Sequence, residues 1–159
     1  VSHLQATVLL IALTVLLAAM VLLLFRLPFL DLSGIPSVFQ VERVQSFDES
    51  GRFTMDSRVT LVNTGAVSYD NRQLRAVFFR NGQEVDVPIP TMNGEEFIPT
   101  HHTGVQTMGG SGCRGRTWEP RERIVIDFSD RTFRPFDLVR VDIIDKRTGQ
   151  VISRHSRTA

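Results

Sequence analysis

ATVLLIALTVLLAAMVLLLF, residues 6–25, runs without a charged side chain and is interrupted only by the mild polarity of Thr7 and Thr14. As a helix this segment spans about 30 Å, the thickness of a bilayer's hydrocarbon core. Its apolar residues go all the way round instead of forming a stripe, so every face must be buried, in lipid or against other helices. At about 1.5–3 kcal/mol per large side chain, leaving it in water would cost tens of kcal/mol. A free soluble monomer is excluded.

The flanks narrow the kind of segment this is. A secretory signal has a shorter apolar core, a positively charged start and a small-residue cleavage site after the core. Here Ala18-Ala19-Met20 runs on into further leucines. A simple single-pass anchor carries Lys or Arg on its cytoplasmic side. Only Val1-Ser2-His3-Leu4-Gln5 precede the run, and the nearest basic residue, Arg26, follows it. By the positive-inside rule this arrangement would leave the folded part in the cytoplasm. The conflict disappears if a short basic leader, removed just ahead of Val1, has already set the orientation.

Cleavage before the apolar segment, which stays in the mature chain, is the processing pattern of type IV pilins and archaellins. Val-Ser-His-Leu-Gln followed by TVLLIALTVLLAAMVLLLF resembles the start of archaeal members of that superfamily, most of all archaeal type IV pilins. The resemblance implies a helix that anchors the subunit in the cytoplasmic membrane and then packs in a filament core. Its assembly residues would be Val1, His3, Gln5, Val8, Leu9, Leu10, Ile11, Leu13, Val15, Leu16, Leu17, Met20, Val21, Leu22, Leu23, Leu24 and Phe25. Bacterial relatives usually carry a glutamate at the fifth position, pairing with a neighbouring N-terminal amine. Gln5 cannot supply that counter-charge, so either His3 and Gln5 hydrogen-bond the Val1 ammonium or the ammonium sits in a wet interface. The run has no glycine and hence no Gly-x-x-x-Gly dimer face.

Pro28 removes a backbone donor and should kink or end the helix near Leu27. Ser33-Gly34 before Ile35-Pro36 is a stronger stop, since glycine takes the left-handed cap. The expected organisation is a helix over residues 1–32, a neck at 33–37 and a head domain from 38 to 159.

All 18 basic and all 17 acidic residues lie beyond residue 25. This near balance argues against a nucleic-acid binder, which would show a strongly basic face. Basic clusters at 114–123 and 146–157 exist, but Glu119 and Glu122 break the first, as on a solvated mixed surface. Cys113 is the only cysteine, so no intramolecular disulfide forms and the head must stand on packing. A buried thiol is favoured over an intermolecular bridge. Asn63, Asn71, Asn81 and Asn93 all lack the Asn-x-Ser/Thr pattern of N-linked glycosylation.

After Ser37 the hydrophobic period becomes two. Val38–Phe47 and Phe53–Val62 flank a turn at Asp48-Glu49-Ser50-Gly51. Leu74–Arg80 and Glu84–Ile89 flank Asn81-Gly82, the strongest hairpin signal in the chain. Arg123–Phe128, Leu138–Ile144 and Val151–His155 complete the set, the last two joined by a turn-rich link at Asp145–Gly149. Short strands at regular spacing, with no second helix, point to one antiparallel immunoglobulin-like β-sandwich. The fold class expected is therefore α+β: a long hydrophobic N-terminal helix followed by a single sandwich head. Many archaeal pilins and archaellins carry such a domain.

Residues 90–120, rich in Gly and Thr, show little periodicity and read as a long irregular loop; long loops in compact domains tend to be functional. FIPTHHTGVQTMGGSGC and the following WEPRERI look like the head of pilins from methanogenic archaea. In a filament such a loop would contact neighbouring subunits or form the exposed face, with His101, His102, Cys113 and Trp118 as its contact residues.

Catalytic and metal chemistry is not expected. Adjacent His101 and His102 cannot easily both face one ion, and no spacing supplies the remaining ligands. A Cys113–His102 nucleophile pair lacks an orienting partner. Gly109-Gly110-Ser111-Gly112 has neither nucleophile-elbow spacing nor the lysine of a phosphate loop. Trp118 and Phe133 fit core or inter-subunit anchors better than ligand platforms. No enzyme activity, cofactor or metal is expected.

The expectation is a structural subunit of an extracellular type IV pilus-like filament for adhesion or surface attachment, resident in the cytoplasmic membrane before assembly. Its partners would be identical subunits, with an assembly ATPase and a platform protein implied by the resemblance. Two alternatives stand beside it: an archaellum subunit serving motility, and a membrane-tethered immunoglobulin-like binding domain that never polymerises.

Overall fold

The computed structural model of the chain describes residues 2–24, 34–47, 50, 52–99 and 104–159. The chain divides into two compact units, Val1–Gly34 and Ile35–Ala159. The first holds helix α1 (His3–Leu24). The second is built of antiparallel sheets.

Among the described residues the head has ten strands: β1 (Phe39–Phe47), β2 (Phe53–Asn63), β3 (Tyr69–Asp70), β4 (Leu74–Arg80), β5 (Gln83–Glu84), β6 (Val105–Gly109), β7 (Thr117–Trp118), β8 (Arg123–Phe128), β9 (Leu138–Asp145) and β10 (Val151–Thr158). They form two four-stranded sheets, ordered β1-β2-β8-β6 and β10-β9-β4-β5, with β3 and β7 as a small third pair. Alternation along the strands turns Phe39, Val41, Val59, Leu61, Ile124, Ile126 and Phe128 inward from the first sheet. Ala76, Phe78, Val139, Val141 and Ile143 meet them from the second, all in one buried cluster. Phe78 and Phe128 touch across the layers edge to face, with ring centroids 4.9 Å apart.

One side of this two-layer head is closed by side chains. Phe39 N–H donates to Ser153 Oγ (2.9 Å) and Val41 N–H donates to His155 Nδ1 (3.0 Å). Arg154 N–H donates to the Pro36 carbonyl where the chain enters the domain (3.0 Å). The outer edge of β1 is thus capped by β10, and those backbone donors are not left as an open template.

The Asn81-Gly82 hairpin forms, with φ of +52° and +85° at the two residues, as the mirror-image turn requires. The strand expected over Glu84–Ile89 is reduced to Gln83–Glu84, with a single bridge from Ile89 to Ala76. Pro88 and Pro90 lack the donors a continued ladder needs. β10 instead runs three residues past His155.

Residues 90–120 contain more order than a loop. β6 completes the first sheet against β8, and Ser111–Cys113 forms a 3-10 turn before β7. Buried asparagines peg this stretch to the strands: Asn71 Nδ2 donates to the Gly112 carbonyl (2.7 Å) and Asn63 Nδ2 to the Trp118 carbonyl (3.1 Å).

Candidate functional site

The helix is the first candidate. Its N-terminus is locked by a reciprocal pair: Ser2 N–H donates to Gln5 Oε1 (3.3 Å) and Gln5 N–H donates to Ser2 Oγ (3.4 Å). This is the capping box, here with glutamine at its third helical position. Gln5 Oε1 therefore has a partner within its own chain; its relation to Val1 lies outside the described residues. The signal was legible as Ser2-x-x-Gln5 ahead of an apolar run, and sequence reasoning passed over it.

The two hydroxyls inside the helix are satisfied locally. Thr7 Oγ1 donates to the His3 carbonyl (2.7 Å) and Thr14 Oγ1 to the Ile11 carbonyl (2.8 Å). Donors spent on the helix's own backbone need no partner from outside. From Leu4 to Val21 the large apolar side chains are exposed, Leu9 at 71% and Leu16 at 64% among them. His3–Val21 is long and apolar enough to cross a membrane by length and composition. Leu22, Leu23 and Leu24 complete the helix; Phe25 and Pro28 lie outside the described residues. Gly34 adopts the left-handed conformation, φ +67°.

The loop residues proposed as contacts fall in different places. His101 and His102 lie outside the described residues. Trp118 is fully buried, stacked on Phe39 at 4.4 Å with Nε1–H donating to the Glu122 carbonyl (2.9 Å). Cys113 is a free, buried thiol packed under Gly94, and burial pushes its pKa up. Within the domain both side chains pin this stretch to the core. The reason is local: the turn at Gly112 fits only because a hydrogen occupies the space where a Cβ would come within 2.6 Å of the Trp118 ring.

The electrostatics describe a braced surface. Arg123 clamps Glu42 with two bonds of 2.5 and 2.7 Å across the outside of the first sheet and holds that carboxyl below its ordinary range. On the outer face of the second sheet Asp142, only 4% exposed, is held by the Arg154 guanidinium in a bidentate pair of 2.6 and 2.8 Å. Arg140 stands beside Asp142 and over the Phe79 ring at 3.7 Å. Such forks fix geometry more than they add stability. Among the described residues no group of His, Cys and carboxylate side chains is placed to hold a metal ion.

Among the described residues of the head, three large apolar side chains stand exposed: Val67 (56%), Ile98 (83%) and Phe136 (89%). Sequence reasoning singled out none of them, because an isolated exposed hydrophobe has no pattern.

No family model and no curated protein sequence matches this chain. Among solved structures, it is similar to the archaellum periplasmic stator protein FlaG from Sulfolobus acidocaldarius, at 14% identity and a TM-score of 0.44, over 76% of this chain and 97% of that one. It is similar, too, to the archaellum periplasmic stator protein complex FlaF and FlaG from Sulfolobus acidocaldarius, at 14% identity and a TM-score of 0.43, over 81% of this chain and 94% of that one.

Proposed function

We propose that this chain is a type IV pilin-like subunit that is held in the cytoplasmic membrane by α1 and polymerises through it into a cell-surface filament. The head is read as an immunoglobulin-like sandwich displayed on the outside. The observation that carries the reading is the self-sufficiency of the helix: it is capped by its own Ser2 and Gln5, its hydroxyls are satisfied on its own backbone, and its apolar side chains are exposed on every face. Transfer from lipid into a helix bundle gains little hydrophobic energy, because both surroundings are apolar. Close packing of the leucines and contacts between heads would therefore hold the filament together, while the assembly ATPase and platform protein implied by the sequence resemblance would drive insertion.

A second reading has one observation in its favour. Gln5 occupies the position where bacterial pilins place a subunit-pairing glutamate, and its Oε1 accepts from Ser2 N–H of its own chain. A membrane-tethered domain, or a component attached to a motility filament, would need no pairing group there.

Electron microscopy of material sheared from the source cells, with N-terminal sequencing of its subunit, separates the two. A uniform filament whose subunit retains the apolar segment supports polymerisation. Protein found wholly in the membrane fraction, with no filament containing it, establishes the tethered reading. The double variant Leu13→Ala, Leu17→Ala sharpens the result: it leaves the segment apolar enough to insert but removes packing volume. Filament yield should drop while membrane insertion is unchanged.

A further inference from the structure

The chain holds two Asn-Gly pairs, Asn81-Gly82 and Asn93-Gly94, and the head treats them differently. The backbone nitrogen of a glycine can attack the side-chain amide of the asparagine before it, because no Cβ obstructs the approach. At Asn93 the fold blocks this reaction. The residue is only 1% exposed, and its Oδ1 accepts from Glu95 N–H (3.0 Å). The Gly94 N–H, which would be the nucleophile, donates to the Cys113 carbonyl (3.0 Å). Cys113 Sγ lies 2.9 Å from the place a Gly94 Cβ would take, so the pair is packed as well as bonded.

Asn81 stands exposed at the tip of the β4–β5 hairpin, and the Gly82 N–H has no hydrogen-bond partner among the described residues. Leu138 N–H donates to Asn81 Oδ1 (2.8 Å). A donor there stabilises the negative charge that an attack on Cγ places on that oxygen. Bringing Cγ onto the nitrogen requires only local opening of a surface turn, the least costly kind of opening.

The same side chain is a lock. Asn81 Nδ2 donates to Asp137 Oδ1 (2.7 Å), and Arg134 N–H donates to Asp137 Oδ2 (2.8 Å). Ala159 N–H donates to the Asp137 carbonyl (2.9 Å), and Phe136 N–H donates to the Ala159 carbonyl (3.0 Å). One amide thus joins the hairpin tip, the loop before β9 and the end of the chain.

We propose that Asn81 is a site of spontaneous deamidation and that its conversion releases this lock. Gly82 N bonds to Asn81 Cγ, the Cγ–Nδ2 bond breaks, and Nδ2 leaves as ammonia with the proton of the glycine amide. Water then opens the cyclic imide, at Cγ to give aspartate or at the backbone carbonyl to give isoaspartate. Nothing is oxidised or reduced. Aspartate sets a second carboxylate against Asp137, two acceptors with no donor between them. Isoaspartate reroutes the main chain through Cβ and lengthens a turn that depends on φ of +52° and +85°. Either product opens the loop around Phe136 and does not revert, whether or not the chain polymerises.

Ageing the full-length chain in detergent at mildly alkaline pH, followed by peptide mapping, tests the site. Acid should accumulate at Asn81 and not at Asn93, whereas the chain unfolded in urea converts both. Conversion at Asn93 as fast as at Asn81 in the folded protein overturns the proposal, as does an intact Asn81 over a period in which the unfolded chain converts. The lock has its own test. Asn81→Asp should lower the melting temperature of the head, read from Trp118 fluorescence, by about 4–8 °C. Adding Asp137→Asn restores an amide opposite the carboxylate, with Oδ1 left to accept from Arg134 N–H, and should recover most of that loss. A wild-type melting temperature in Asn81→Asp, or no recovery in the double variant, overturns the release.

Discussion

The two units of this chain solve the same problem in opposite ways. The head hides its large side chains from water: Phe39, Phe78, Phe128, Trp118 and Leu61 are all fully buried against one another. The helix hides nothing. It bonds its two threonine hydroxyls and its Ser2–Gln5 cap within its own chain and leaves its apolar surface exposed. The head buries a core of its own, whereas the helix leaves its large apolar side chains exposed. A substitution in one should therefore read out in a different experiment from a substitution in the other.

The largest expected effect is on the helix. Leu16→Lys puts a charge among side chains that only lipid or other helices can cover, at a cost of about 2.5–3.5 kcal/mol or more near the middle of a span. Assembly should be abolished while the head melts as before. Trp118, the only tryptophan and wholly in the head core, makes its fluorescence a reporter of head unfolding in the intact chain. Normal assembly by Leu16→Lys would break the distinction between the two units. The mirror experiment is Phe78→Ala, expected to cost the head about 3–5 kcal/mol by leaving a cavity where Phe78 meets Phe128. Membrane insertion should be unaffected.

A smaller effect is expected at Gly112. A Cβ there would come within 2.6 Å of the Trp118 ring and 3.0 Å of Ile124, so Gly112→Ala should destabilise the head by about 1–3 kcal/mol, read as a lower denaturant midpoint. The smallest is a pH effect at the seam between β1 and β10. Burial, with Arg157 nearby, pushes the His155 pKa below its ordinary value, and its Nδ1 must stay unprotonated to accept from Val41 N–H. A depressed pKa means the unfolded chain takes up the proton first. The contribution is therefore fully present above the ordinary histidine value of 6.5 and is lost as pH falls through the lower folded-state value. Head melting should fall between pH 7.5 and 5.5, and His155→Gln should flatten that step.

Legibility in the sequence followed how far each feature declares itself locally. The helix was plain because an uncharged run of this length has few physical meanings. The Asn81-Gly82 turn was plain because few residues tolerate φ of +52° and +85°. Strand β6 was missed because its pairing with β8 shifts register between Val105 and Thr107, which breaks the alternation that marks a strand. The end of β10 was hidden by Ser156, Arg157 and Thr158, three polar residues in a row that carry no apolar alternation. The braced loop around Phe136 could not be read at all, since its bonds join Asn81, Asp137 and Ala159 across wide gaps in the chain. Local signals fix the elements; such distant bonds become visible only when the elements meet.

The capped edge of β1 has a mechanical consequence. Tension applied where the chain enters the head, at Ile35–Ser37, pulls β1 along its own axis. Its bonds to β2 on one side and to Ser153 and His155 on the other lie across that axis. With the far end of the head held, the load falls on those bonds together, in shear, instead of peeling them off one at a time. A domain strung in series with a pulled or rotating fibre would resist extension at its point of attachment, and would yield first wherever a strand edge is loaded bond by bond.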